Sequence, residues 1–137
     1  MARDTRTGEV LERMVLPALE NGGYEHRTGV NIGQRLGQGR HKVDVLAQKN
    51  DETFLVSLKW QQVSGTAEQK IPFEVISLSY AMQDGDFSGA YLVLGGDGWS
   101  LRDFYTGGGL DEHLTHPELV KILTLEQFVA LANKGAL

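Results

Sequence analysis

The sequence predicts an α/β fold: a mixed central β-sheet of about four to five strands flanked by helices. Three observations carry this expectation. Strand-like and helical stretches alternate in the order α, β, β, β, α, β, α, β, α. The chain has 137 residues, 41% hydrophobic and 23% charged, the size and composition of one globular unit. No internal repeat or linker interrupts it, so residues 1–137 are expected to form a single domain.

The first helix is read over residues 5–20, from the apolar spacing of Val10, Leu11, Met14, Val15, Ala18 and Leu19. Pro17 should kink it or end its regular part, and Asn21-Gly22-Gly23 should stop it. Tyr24–Val30 reads as a strand, followed by a glycine-rich loop over residues 33–40, expected to be mobile unless something binds it. His41–Gln48 and Thr53–Trp60 are two β runs joined by a tight turn at Asn50-Asp51, a hairpin whose register sets Asp44 across from Ser57. Lys59 is then the diagonal neighbour of Asp44, and Gln61 continues the same face, giving a small exposed polar patch. The other face carries Val43, Val45, Ala47, Phe54, Val56, Leu58 and Trp60, an apolar surface for a helix to cover.

A helix follows, with Thr66 and Gln69 as a capping pair and Ile71, Val75, Leu78, Ser79 and Met82 as its buried stripe. Pro72 offers a second start, with residues 67–71 as a separate turn. Gly89–Leu94 is a short buried strand ended by Gly95-Gly96-Asp97-Gly98. Trp99–Tyr105 reads as a short helix and Gly107-Gly108-Gly109 as a flexible break. Val120–Leu123 is the last strand, and Thr124 with Gln127 caps a final helix that ends at Gly135.

Composition excludes several function classes. Zero cysteines rule out disulfides, thiol catalysis and thiolate zinc sites. Thirteen Lys and Arg against eighteen Asp and Glu give a net charge of −5, which argues against a chain that coats nucleic acid nonspecifically. No apolar run approaches the ~20 residues of a membrane span, and MARDTRTGEV lacks the apolar stretch of a signal peptide, so a cytoplasmic protein is expected. Residues 26–43 carry Arg27, Arg35, Arg40 and Lys42 without one acid, a local basic stretch suited to a phosphate backbone.

On the residues alone, Asp44 and Lys59 read as a cross-strand surface ion pair, worth under ~1 kcal/mol. His113 and His116, near Asp111 and Glu112, have ligand-like spacing without a third ligand pattern and read as a plain loop. Gly95, Gly96 and Gly98 are not a phosphate loop, since no Gly-Lys-Ser/Thr follows. Trp60 reads as packing rather than as a base-stacking platform.

The order helix, strand, Asp-bearing strand, Lys-bearing strand, helix over roughly residues 5–95, with Val43-Asp44 followed by Ser57-Leu58-Lys59, resembles the PD-(D/E)XK nuclease superfamily and its restriction-endonuclease-like core. No proline precedes Asp44, and Ser57 stands where the family has a second acid. Some restriction enzymes of the superfamily keep Ser-x-Lys and supply the missing carboxylate from the following helix. Glu74, fifteen residues beyond Lys59, matches that pattern. At about 100° per residue it falls roughly 85° from the centre of the buried stripe. Glu68 lies closer to the stripe centre and is the alternative.

The resemblance implies Mg²⁺-dependent hydrolysis of DNA phosphodiesters, with Mn²⁺ substituting. Asp44 and Glu74 or Glu68 would hold the metal, Lys59 would act on the attacking water, and Gln61 would position water or phosphate. Glu12, with Glu9 beside it, corresponds to the helical acid that some members add. The implied protein is an endonuclease of restriction or phage type, a homodimer if it cuts both strands, with no organic cofactor. A resolvase of branched DNA is one alternative. The other is a noncatalytic DNA-binding or assembly module in which Ser57 marks loss of the metal site.

Overall fold

The computed structural model describes residues 6–34, 39–63, 65 and 67–137. The predicted Thr66 cap and Arg35 lie outside the described residues.

Pro17 shapes the N-terminal helix through its missing N–H and its clash with the carbonyl four residues back. The helix widens to absorb it. After α1 (Arg6–Val10), Leu11–Val15 forms a π-turn, closed by the Leu16 N–H on the Leu11 carbonyl, and α2 (Leu16–Asn21) continues beyond it. Gly22 ends α2 where a Cβ would collide with the Ala132 carbonyl of the last helix.

Five strands form one sheet in the order β1-β2-β3-β4-β5. They are β1 (Glu25–Gln34), β2 (Arg40–Lys49), β3 (Glu52–Trp60), β4 (Gly89–Gly95) and β5 (Val120–Thr124). The first three are an antiparallel meander, and β4 and β5 are parallel to β3. This is the predicted α/β architecture with a mixed five-stranded sheet. Strand β1 runs four residues past the predicted end at Val30.

The β2–β3 hairpin has the predicted register, from Lys49↔Glu52 to Val45↔Val56. Asn50 and Asp51 both have left-handed backbones, φ 51° and 68°, the signature of a two-residue turn whose twist matches the strands. Alternation fails toward the other end. Val45, Ala47, Phe54, Val56 and Leu58 pack on one face, but Val43 packs on the opposite one with Leu46 and Leu55. Val43 therefore does not share the face predicted for it. The switch falls at Asp44, beside Gly29 of β1, whose φ of 58° bends the paired strand at the same level.

Helix α3 (Ala67–Asp84) is continuous through Pro72, without the separate turn over residues 67–71. The Glu68 carbonyl, left without its helical donor by Pro72, accepts the Tyr105 hydroxyl at 2.8 Å. Ile71, Val75 and Leu78 are buried as predicted. Ser79 and Met82 are only partly covered, while Ser77 and Ala81 are buried, because the helix lies rotated toward them. The short helix α4 (Arg102–Thr106) begins three residues later than expected. Trp99 is instead a buried anchor whose Nε1 donates to the Gly95 carbonyl at 2.7 Å. Gly107-Gly108-Gly109 forms a hydrogen-bonded turn rather than a flexible break, with Gly109 N–H on the Phe104 carbonyl at 2.8 Å. Helix α5 (Leu125–Asn133) opens with the predicted capping box between Thr124 and Gln127.

Helices cover both faces of the sheet. Val15, Ala18 and Leu19 from the N-terminal segment and Phe128 and Ala132 from α5 close one face. There the rings of Tyr24, Phe54, Tyr91 and Phe128 follow one another at centroid spacings of 6.1, 6.1 and 5.6 Å. Helix α3, with Tyr105 of α4, closes the other face. Among the described residues no helix is long and apolar enough to cross a membrane.

Candidate active site

The cluster is built where β2 leaves β3. Beyond Val45↔Val56 the ladder between these strands is not continued, which frees the Leu58 N–H. The Asp44 carboxylate takes the place of a backbone acceptor, with Oδ2 receiving that N–H at 2.6 Å. A short polar side chain thus fills the fork between two strands.

Ser57 and Lys59 alternate with Leu58 on β3 and face α3, while Leu58 packs on the opposite layer. The Ser57 hydroxyl donates to Glu74 Oε2 at 2.8 Å, and Lys59 Nζ stands 3.8 Å from the same oxygen. Ser57 and Glu74 are buried, at 2% and 5% exposure, and Lys59 is partly exposed. The polar face of the hairpin is therefore not the exposed patch expected from its sequence, because α3 lays Glu74 over it.

His41, 1% exposed at the start of β2, places Nε2 3.3 Å from Glu74 Oε1. The contact is close enough for an ion pair, but its angle falls short of a good hydrogen bond. The sequence reading missed His41 as a site residue. Its signal was available: it continues the apolar-side alternation of β2 through Val43, so a polar ring there needs a partner.

The two carboxyls are driven in opposite directions. Burial raises the pKa of Asp44, and the Glu74 charge adds to the rise against the opposing Leu58 N–H and Lys59. Burial also opposes ionisation of Glu74, but His41, Lys59 and Ser57 together outweigh it and hold the carboxyl at about 2. Glu74 is held ionised, whereas burial disfavours the charged form of Asp44, which a nearby cation would favour.

The other predicted residues lie elsewhere. Glu68 Oε1 accepts the backbone N–H groups of Ser100 and Leu101, the latter at 3.3 Å, tying α3 to the approach of α4. Gln61 is buried, and its Nε2 donates to the Gly98 carbonyl at 2.7 Å and stands 3.5 Å from Glu68 Oε1. Gly96 and Gly98 belong to that latch, since a Cβ on either would strike the backbone of Gln61 or Val63. Glu9 and Glu12 are exposed on the N-terminal helical segment, which packs on the sheet face opposite Glu74. Arg40 and Lys42 are exposed on either side of His41, and Arg27 is exposed across from Leu46, toward the turn end of the hairpin.

A hard divalent cation fits the donor set formed by Asp44 and Glu74. Both groups are carboxylates, and Mg²⁺ characteristically takes one or two of these and keeps water elsewhere. Among the described residues no group of three His, Cys, Asp or Glu side chains converges as a metal cage.

A family model described as a PD-(D/E)XK nuclease superfamily domain matches residues 3–136. The chain matches no curated protein. Among solved structures it is similar to the crystal structure of a protein of unknown function, AF1548, at a TM-score of 0.55 and 13% identity. That likeness covers 84% of this chain and 60% of the other, and shows a shared fold. Domains of the matched superfamily are generally nucleases and usually use divalent metals. With nearly its whole length matched, and its Asp and Lys on adjacent strands beside a helical carboxylate, the chain belongs to the PD-(D/E)XK nuclease superfamily.

Proposed function

We propose that this chain, as one nuclease domain, is a Mg²⁺-dependent endonuclease that hydrolyses DNA phosphodiester bonds, with Mn²⁺ able to replace Mg²⁺. The observation that carries the reading is the Glu74 carboxylate, delivered by α3 onto Ser57 and within 3.8 Å of Lys59, which restores an acid where the strand has serine.

Asp44 and Glu74 hold the cation. When bound, it supplies Lewis-acid polarisation of the scissile phosphate and a lowered pKa for the attacking water. Lys59, partly exposed beside Glu74, orients that water and neutralises charge gained by the phosphate oxygens. Its compact ammonium suits a single oxygen better than a guanidinium fork does. Arg40 and Lys42 bind flanking phosphates at the open end of β2, and Arg27 extends the same interaction along the hairpin. Cutting both strands of a duplex takes two such centres, which a homodimer supplies.

The test is calorimetric titration of Mn²⁺ and Mg²⁺ into the wild type and Asp44→Ala, alongside nicking of supercoiled plasmid. Binding and nicking in the wild type, both lost in Asp44→Ala, are expected. Equal binding by the two proteins, or nicking that survives the substitution, removes Asp44 from the site. Metal binding without nicking of plasmid or branched DNA favours a binding module.

A further inference from the structure

We propose that His41 is a positioning residue of the metal centre, holding one oxygen of Glu74 while Ser57 holds the other; the inference rests on the reading of Asp44 and Glu74 as ligands.

A carboxylate brought in from a helix has three side-chain torsions, whereas an acid on β3 itself would be fixed by the strand. Something must therefore set the plane of Glu74. Ser57 donates to Oε2 at 2.8 Å, and Lys59 approaches the same oxygen at 3.8 Å. Two groups on one oxygen leave the carboxylate free to swing about it. His41 Nε2, 3.3 Å from Oε1, is the contact on the other oxygen.

The ring is otherwise hard to account for. At 1% exposure, with neither nitrogen in a well-formed hydrogen bond among the described residues, it carries a desolvation cost that an apolar side chain would avoid. An ionised carboxylate only accepts, so the nitrogen facing it is the one that carries a proton. The pair 41 and 57 thus belongs to the relocation of the acid: Ser57 vacates the strand position and becomes a donor, and His41 supplies the second donor from the neighbouring strand.

Partners behind a ligand typically change metal affinity by 10- to 100-fold. The experiment titrates Mn²⁺ by calorimetry into the wild type, His41→Phe, His41→Gln and Glu74→Gln, with a thermal melt of each metal-free protein. His41→Phe keeps a ring of similar size and removes the donor, and its Mn²⁺ affinity is expected to fall about 10- to 100-fold. His41→Gln places an amide nitrogen near the position of Nε2, and its affinity is expected to stay within about threefold of wild type. A role in packing alone predicts the reverse order. Wild-type affinity in His41→Phe, or a loss in His41→Gln as large as in His41→Phe, overturns the proposal. If His41→Phe does not fold, His41→Asn, whose donor is too short to reach Oε1, takes its place with the same expected loss. Unchanged affinity in Glu74→Gln removes Glu74 as a ligand, and that failure of the underlying reading takes the proposal with it.

Discussion

The two ends of the β2–β3 hairpin obey different rules. At the turn end the ladder from Lys49↔Glu52 to Val45↔Val56 is unbroken, side chains alternate strictly, and Asn50-Asp51 supplies the left-handed pair that the turn requires. At the open end the ladder stops, Val43 changes face, and the fork is filled by the Asp44 carboxylate on the Leu58 N–H. Regularity gives stability at the first end. Its loss at the second leaves a backbone donor, a buried serine and a buried glutamate that need partners, and those partners form the candidate site. The two ends should therefore respond oppositely to substitution.

The largest effect is expected from Lys59→Ala. Loss of one preorganised group that stabilises charge in the transition state costs about 10²- to 10³-fold in rate. Plasmid nicking should fall by that factor. The apo thermal midpoint should move little, because the ammonium is partly exposed and 3.8 Å from its partner. Nicking within a few-fold of wild type would show that the open end does not carry the chemistry.

The open end should also betray itself by acid. The pKa of Glu74 is lowered in the folded state from 4.5 to about 2, so ionised Glu74 contributes stability that is present in full above about 4.5 and lost as the pH falls toward 2. The shift corresponds to about 3 kcal/mol at neutral pH. Asp44 has the opposite sign: its raised pKa favours the folded state at low pH, and that contribution is lost as the pH rises through its folded value. Urea denaturation of wild type and Glu74→Gln isolates the first of these. The wild type should be more stable at pH 6, with the gap closing between pH 4.5 and 2. A gap independent of pH would mean that packing, not charge, distinguishes the two side chains.

These two ends also mark what could be read in advance. The turn, the register and the Thr124-Gln127 capping box follow from local chemistry, because each depends on residues a few positions apart. Asp44, Ser57 and Lys59 were also legible as neighbours, but the paired ladder ends at Val45↔Val56, and Asp44 meets β3 through the Leu58 N–H rather than on a rung opposite Ser57. Three features depended on partners distant in sequence. The change of face at Val43 occurs beside Gly29 on another strand. Continuity of α3 through Pro72 leans on the Tyr105 hydroxyl, which takes the carbonyl that proline leaves unpaired. Glu68 and Glu74 were separable only once the loop before α4 had claimed Glu68 through the amides of Ser100 and Leu101. His41 stands out as a polar residue in the apolar alternation of β2, but the face on which it is buried depends on where β2 bends.

The smallest effects belong to the turn end and come as a pair of opposite sign. Asn50 has φ 51°, which asparagine tolerates and a β-branched side chain does not, so Asn50→Val should cost about 1–2 kcal/mol. Asp51 has φ 68°, and Asp51→Gly creates the Asn-Gly pair most favoured in such turns, which should add about 0.5–1 kcal/mol. Urea midpoints should move down in the first variant and up in the second, while plasmid nicking at a temperature where both are folded stays at the wild-type rate. The reasoning is mechanical: five paired rungs from Lys49 to Val45 separate the turn from the fork, and a strain confined to two dihedrals is absorbed before it reaches Asp44. A nicking rate that follows the midpoints would show instead that the hairpin transmits its twist from one end to the other.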